Sequence, residues 1–434
     1  MLKVLRKLDR PVPRYTSYPP VPHWNKKISS QSWLSSIQKN NIASLYIHIP
    51  FCEQLCYYCG CFKKITKNKS IVNDYIQLIK AEWEIYLKNN PRLKIQTIHI
   101  GGGTPSFLSP KALKDLLAFF SPFMLNEAKN SIELDPRTTC SEQLQILKEF
   151  KFDKVSLGIQ DFDVEVQNTI NRVQPYDLVE KLVKKIRQMG FSTLGFDLIY
   201  GLPKQSMRTI QETLEQVLVL NPDQIAYYSY AHLPQKIKSQ RIFAQDDLPN
   251  SESKKNFFYS TSIMLEKAGY IKIGLDHFVK KDSPLYMAKQ NGKLTRNFMG
   301  YSELETPLLI GLGVSSISES ENYFVQNTKS FSEMKDSLDK KELSLVTGHK
   351  LSDEDSMRAE SIQNLMCNEF IDLEKITYEE LRQSLEEFVE LGLLEANGHL
   401  LKLTERGRPY LRVIASCFDE YLGKNKVVQF SQSI

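Results

Sequence analysis

The sequence predicts an α/β protein: a partial (β/α)6 barrel, preceded by an irregular N-terminal arm and followed by a mainly helical C-terminal part. Three observations predict it. Short apolar runs recur at 45–49, 97–100, 131–134, 154–158, 194–199 and 224–230. Helix-length amphipathic stretches separate them, at 72–87, 110–120, 140–149, 175–189 and 206–218. Polar or glycine residues close each run. Strand and helix alternating at this spacing imply parallel strands joined by right-handed crossovers. Polar groups at successive strand ends form one rim, which is where an α/β barrel places its site. An open doubly wound sheet fits the alternation as well, and turn polarity alone accounts for part of the rim.

The arm covers residues 1–40. Pro11, Pro13, Pro19, Pro20 and Pro22 exclude a long helix there. Tyr15, Tyr18 and Trp24 make it aromatic, so it is expected to pack over the main domain or to cover a substrate cleft. The barrel and an extension occupy 41–345, with no regular period from 235 onward. Residues 346–434 read as helices at 353–367 and 378–391, a hairpin at Asn397-Gly398 and a helix at 409–421. That order resembles a winged helix, but Glu379, Glu380, Glu386, Glu387 and Glu390 argue against a nucleic acid partner. A structural or substrate-covering role is expected instead.

Of the 434 residues, 41% are hydrophobic and 25% charged, which excludes a disordered or fibrous chain. A net charge of +5 is too dilute to argue for nucleic acid or a membrane surface. No apolar run approaches the roughly 20 residues of a membrane helix. Residues 1–10 lack the apolar segment of a secretory signal, so a cytoplasmic protein is expected.

Seven cysteines are present, and four of them lie between positions 52 and 61. An odd count in a reducing compartment argues against a disulfide framework. Cys52-x3-Cys56-x2-Cys59 can wrap one soft metal centre with three thiolates. Zinc held with the help of Cys61 is the alternative. Cys140, Cys367 and Cys417 read as buried thiols. Gly101-Gly102-Gly103-Thr104-Pro105, one strand further on, suits close backbone approach to a ligand. Glu133, Gln160 and Asp197, at successive strand ends, could accept hydrogen bonds from ribose hydroxyls or face a sulfonium.

The cysteine spacing after the first strand resembles the radical S-adenosylmethionine superfamily. The wider text is similar to the oxygen-independent coproporphyrinogen III oxidase family of haem biosynthesis. The resemblance lies in Pro13-Arg14-Tyr15-Thr16-Ser17-Tyr18-Pro19, the run from Tyr46 to Cys61, Ile132-Glu133-Leu134-Asp135-Pro136-Arg137 and Gly158-Ile159-Gln160-Asp161-Phe162. It continues in Asp197-Leu198-Ile199-Tyr200-Gly201-Leu202-Pro203, Tyr230-Ala231-His232-Leu233-Pro234 and Gln429-Phe430-Ser431. A related haem-chaperone branch shares the three cluster cysteines but lacks the arm motif and has an aromatic residue at the place of Cys61.

The resemblance implies that Cys52, Cys56 and Cys59 ligate a [4Fe-4S] cluster whose fourth iron binds S-adenosylmethionine. It implies two S-adenosylmethionine molecules per chain. Tyr46, Gly102, Glu133 and Ile317 would contact the first, and Tyr58, Gly103, Thr104, Gln160, Arg172, Asp197 and Ala231 the second. Cys61 would be a catalytic side chain that does not ligate the cluster. The implied reaction is decarboxylation of two propionates of coproporphyrinogen III to vinyl groups, giving protoporphyrinogen IX. An external one-electron donor and a terminal acceptor would be needed, and a monomer is expected. Arg14, Lys63, Lys64 and Arg296 are candidate partners for the propionates. His48, His99, His232 and His277 read as core or supporting groups rather than metal ligands.

Overall fold

The computed structural model describes residues 10–24, 26–304 and 306–423, so Gln429-Phe430-Ser431 lies outside the described residues. One sheet of twelve strands dominates. In chain order these are β1 (Ile42–Ile49), β2 (Lys94–Gly102), β3 (Asn130–Leu134), β4 (Phe152–Gln160), β5 (Thr193–Tyr200) and β6 (Gln224–Ser229). There follow β7 (Ile271–Ile273), β8 (His277–Val279), β9 (Leu308–Leu312), β10 (Ile317–Ser320), β11 (Tyr323–Asn327) and β12 (Leu345–Lys350). Their order in the sheet is β12-β11-β10-β9-β1-β2-β3-β4-β5-β6-β8-β7. From β9 to β6 all neighbours are parallel. Among the described residues no ladder joins the two edges, so the barrel stays open.

The six expected strands all form, with helices Ile71–Asn89, Pro110–Phe120, Ser141–Glu149, Tyr176–Gln188 and Met207–Leu220 between them. Helix starts follow local chemistry. Ser109 accepts from the Ala112 N–H with Pro110 at the first helical position, and Ser206 caps Met207–Leu220. β9 is the seventh parallel strand, from the stretch with no readable period. All five of its residues are buried, so both faces are apolar and no alternation marks it.

Period two then shapes the interior. Outward residues such as Leu45, Ile47, Ile98, Ile132, Leu157 and Phe196 form the core with the helices. The inward row carries His99, Ser131, Glu133, Lys154, Ser156, Asp197 and Tyr228. A barrel centre is ordinarily filled by branched apolar side chains. Here polar side chains line a cavity of about 450 Å³.

Three details differ from expectation. The arm contains the helix Ser30–Ile37, capped by Ser29 and pinned by the fully buried Trp33. No proline lies in that stretch. The expected helix at 409–421 shrinks to Leu411–Ala415 between 3-10 turns. All five of its residues are buried, and Ser416 Oγ closes its end on the Val413 carbonyl at 2.6 Å. Cys140 is exposed rather than buried, because it sits at the cap of Ser141–Glu149, where its N–H donates to Gln143 Oε1 at 2.9 Å. Cys367 is buried, and Cys417 is half-buried.

Tyr15 and Tyr18 of the arm join a second apolar cluster with Leu365, Phe388, Ile414 and Phe418. Tyr15 donates to Asp419 at 3.0 Å, and Arg412 Nε donates to the Pro13 carbonyl at 3.1 Å. The expected hairpin is Leu394–Asn397 with Leu400–Leu403, joined by a third strand, Phe370–Asp372.

Candidate active site

The chain leaves β1 into a loop carrying the cysteines. Phe51 and Cys52 pair with Lys64 and Ile65, which closes the loop at its neck. The far side is clasped by the turn after Val164–Thr169. Tyr57 N–H donates to the Ile170 carbonyl at 3.0 Å, and Asn171 Nδ2 to the Leu55 carbonyl at 2.8 Å. Cys52, Cys56, Cys59 and Cys61 all line the cavity. Among the described residues, the one trio of His, Cys, Asp or Glu donors drawn within 4.8 Å is Asp372, Glu374 and His399, far from this loop in the chain.

Two guanidinium groups face the Cys56 sulfur. Arg172 Nη1 lies 3.6 Å from it and Arg137 Nη2 3.7 Å. Both cations share Asp135, at 3.1 and 2.7 Å. Burial alone would raise the Asp135 carboxyl, but Arg172 and Arg137 pull it down to about 2. Arg172 also donates to the Gly158 carbonyl at 2.7 Å. Burial pushes the Cys52 thiol up to about 12, whereas a hydrogen bond from Cys61 brings Cys59 down to about 6.

The glycine run ends β2 instead of following it. Gly103 N–H reaches the Ile49 carbonyl at 2.8 Å, and Thr104 N–H the Phe51 carbonyl at 3.0 Å. Gly102 has φ +121°, and a Cβ there would meet the His48 ring and the Ile49 carbonyl at 2.9 Å. At Gly158 a Cβ would sit 2.7 Å from the Gln160 amide. These positions keep the wall bare of side chains.

Glu133 lies 3.3 Å from His99 Nε2. Burial would raise its carboxyl, but His99 and the Gly102 N–H hold it below the usual range. Asp197 accepts from Ser156 Oγ at 3.1 Å and is pushed up to about 6 by burial and by the Glu133 charge. Gln160 adopts φ +67°, held there by neighbours: Gln174 Nε2 donates to the Ile159 carbonyl at 2.5 Å, and Gln205 Nε2 to Asp161 at 2.6 Å.

The cavity therefore gathers Tyr58, Gly102, Gly103, Thr104, Glu133, Gln160, Arg172 and Asp197 with the four cysteines. Tyr46, Ala231 and Ile317 lie outside its lining. Tyr46 bonds His48 Nδ1 at 2.9 Å and stacks on His99 at 5.9 Å. The Ala231 carbonyl takes Gln240 Nε2 at 3.2 Å, and the same amide reaches the Tyr58 carbonyl at 3.0 Å. Ile317 opens β10 against Gly311, the register partner of Tyr46.

Sequence reasoning missed Arg137, Ser156, Tyr228 and the pair Lys129 and Lys154, which both contact Glu303. Strand periodicity would have found Ser156 and Tyr228. It also missed the wall formed by the hairpin Thr295–Asn297 with Gly300–Ser302, whose three-residue strands leave no pattern. Of the suggested propionate partners, Lys63 lines the cavity and donates to the Cys59 carbonyl at 2.7 Å. Lys64 is exposed and lies 4.7 Å over the Phe331 ring.

Residues 46–217 match the Radical SAM superfamily, the class of enzyme described by a rim of three thiols beside a bare glycine strand end. The chain is 35% identical to the oxygen-independent coproporphyrinogen III oxidase of Pseudomonas aeruginosa, over 99% of this chain and 98% of that one. It is 37% identical to the Helicobacter pylori enzyme of the same name, over 95% of each. The solved structure of coproporphyrinogen III oxidase from Escherichia coli, described as a radical SAM enzyme, superposes with a TM-score of 0.91 at 32% identity, covering 97% of this chain and 99% of that one. The chain belongs to the oxygen-independent coproporphyrinogen III oxidase family.

The superfamily's chemistry uses a [4Fe-4S] cluster and S-adenosylmethionine, and the residues present fit both. The donor set is three cavity-facing thiols with cations at Cys56. Beside it, Gly102 and Gly103 line the cavity without side chains, and their lack of a Cβ lets the end of β2 pack directly on His48 and the Ile49–Phe51 backbone.

Proposed function

We propose that the chain decarboxylates two propionates of coproporphyrinogen III to vinyl groups, giving protoporphyrinogen IX in haem biosynthesis. The observation that carries this is the single cavity onto which the three thiols, the glycine strand end and the polar barrel interior all open. Cys52, Cys56 and Cys59 hold the cluster. Tyr46, Gly102, Glu133 and Ile317 serve a first S-adenosylmethionine. Tyr58, Gly103, Thr104, Gln160, Arg172, Asp197 and Ala231 serve a second. Bound there, the cluster and S-adenosylmethionine would supply the radical chemistry for removing a hydrogen atom at the propionate β-carbon, with carbon dioxide lost and one electron passed to the external acceptor.

The protein's part is to hold and to exclude. Glycine at 102 and 103 seats the end of β2 on the Ile49–Phe51 backbone and leaves its cavity side free of side chains. Glu133, kept ionised, favours a cationic amine or sulfonium nearby. Cys61 is the catalytic side chain of this reading, a thiol on the cavity wall that interacts with the thiol of Cys59. The reading includes an external one-electron donor, a terminal electron acceptor, a single chain as working unit and a cytoplasmic setting. No helix among the described residues is long and apolar enough to cross a membrane. It also divides the chain into the arm 1–40, the barrel and extension 41–345 and the C-terminal part 346–434. The two largest apolar clusters, one under the main sheet and one at the C-terminal end, support the boundary between barrel and C-terminal part, and the arm contributes to both through Trp33 and Ile37 and through Tyr15 and Tyr18.

The test is reconstitution with iron and sulfide without oxygen, followed by conversion of coproporphyrinogen III with S-adenosylmethionine, reductant and an extract supplying the acceptor. Protoporphyrinogen IX is expected, and Cys52→Ala abolishes it. A cluster that cleaves S-adenosylmethionine and leaves the tetrapyrrole intact would favour a haem chaperone instead.

A further inference from the structure

Behind Tyr228, His277 and Tyr301 of the cavity wall sits a crowd of positive charge. Arg14 of the arm forms an ion pair with Asp276. Arg296 Nη1 donates to the Arg14 carbonyl at 2.6 Å. Asp276 is occupied on its other side by His277 Nδ1 at 2.8 Å. Among the described residues no carboxylate pairs with Arg296, and its buried Nε has no hydrogen-bond partner. Arg296 and Tyr301 are cross-strand partners, so both project to the same face of the hairpin, and Tyr301 lines the cavity. The guanidinium lies 5.2 Å over the Tyr301 ring. Arg14 keeps 34% of its side chain accessible although the protein surrounds it. Burial and the nearby Arg296 charge both push the Arg14 guanidinium down.

Among the described residues Arg14 and Arg296 have one carboxylate between them, Asp276, and the buried Arg412 adds a third guanidinium whose charge acts against both, so positive charge is in excess. A buried charge without a counter-ion is costly. A carboxylate held in the planar fork of a guanidinium relieves that cost. Vinyl formation at two of four propionates leaves the other two carboxylates intact in the product. A site that presents one propionate to the thiol rim therefore gains from holding a carboxylate that does not react.

We propose that Arg14 and Arg296 together form the anchor for a non-reacting propionate carboxylate of the tetrapyrrole, with Asp276 as the counter-ion that occupies Arg14 in its absence. This inference rests on the porphyrinogen reading above. It also gives the arm a role in binding, since Arg14 carries part of the anchor and Arg412 holds that stretch through the carbonyls of Val12 and Pro13.

The test is equilibrium binding of coproporphyrin III, the air-stable oxidised tetracarboxylate, to the reconstituted chain, followed by fluorescence. Arg296→Gln and Arg14→Gln are each expected to weaken binding roughly tenfold or more, the worth of a hydrogen bond to a charged group. Arg296→Lys is expected to recover part of the loss. Asp276→Asn, which removes the competing carboxylate, is expected to tighten binding, whereas a merely structural disturbance weakens it. Circular dichroism confirms the fold of each variant. Variants that bind like the wild type, or an Asp276→Asn loss matching the arginine losses, overturn the anchor and leave the decarboxylation reading standing. A wild-type chain that does not bind coproporphyrin III overturns the anchor, while turnover of coproporphyrinogen III in the assay above decides the decarboxylation reading independently.

Discussion

Arg172 concentrates several functions in one side chain. Its two terminal nitrogens reach Asp135, the Cys56 sulfur and the Gly158 carbonyl, and it is 7% exposed. Removing such a group strands a buried carboxylate and a carbonyl. Arg172→Met is therefore expected to cost about 3 kcal/mol in urea unfolding, the lower end for a broken buried pair because Arg137 still contacts Asp135. Arg137→Met is expected to cost less, since that side chain is 17% exposed and only two positions from its partner. The reverse order would count against Arg172 as the buried keystone. The same logic explains why Arg172 is legible in the sequence while Arg137 is not. Arg172 is a residue to which the resemblance assigns a ligand contact, whereas Arg137 stands in the sequence only as the end of the Asp135-Pro136-Arg137 text, with no role attached. What makes it functional is its distance to Cys56, a contact across 81 positions.

At the scale of elements, the end of β2 makes the sharpest demand on sequence. Gly102 combines φ +121° with backbone and ring atoms 2.9 Å from any Cβ. Gly102→Ala is expected to lower the melting temperature of the chain, because a non-glycine residue held there costs about 1–3 kcal/mol. It is also expected to weaken S-adenosylmethionine binding measured by calorimetry. Unchanged affinity with a lowered melting temperature would reduce the glycine run to a plain turn. Elements of this kind are legible. Strands β1 to β6 announce themselves because one face meets helices and the other a polar interior, so apolar and polar residues alternate. β9 does not, because apolar neighbours cover both of its faces. The wall hairpin does not either, since three-residue strands carry no period, and its contact with Arg14 spans 282 positions. The thiol rim is readable from spacing alone, whereas the guanidinium crowd behind Tyr301 exists only once arm, hairpin and β8 have come together.

Across the whole molecule, one buried carboxylate ties barrel to extension. Glu82, on the helix Ile71–Asn89, is fully buried and accepts from the Gly313 N–H at 2.8 Å and from Asn327 Nδ2 at 2.5 Å. It thus joins the first barrel helix, the turn after β9 and the end of β11. Burial pushes its carboxyl up to about 8, against the two hydrogen bonds that favour the charged form. A folded-state value above the unfolded one means that the native protein binds this proton more tightly. The stabilisation is full below the unfolded value, near 4.5, and is lost as pH rises toward 8. Other groups titrate in the same window, so the informative quantity is the difference from Glu82→Gln, in which they cancel. Relative to that variant, wild type is expected to lose up to about 1.4 kcal/mol of unfolding free energy per pH unit between pH 5 and 8. Urea unfolding at pH 5, 6, 7 and 8 measures it. A constant difference would mean that Glu82 is ionised in the folded chain throughout this range, as it is in the unfolded chain, and that the junction of barrel and extension holds a permanent charge.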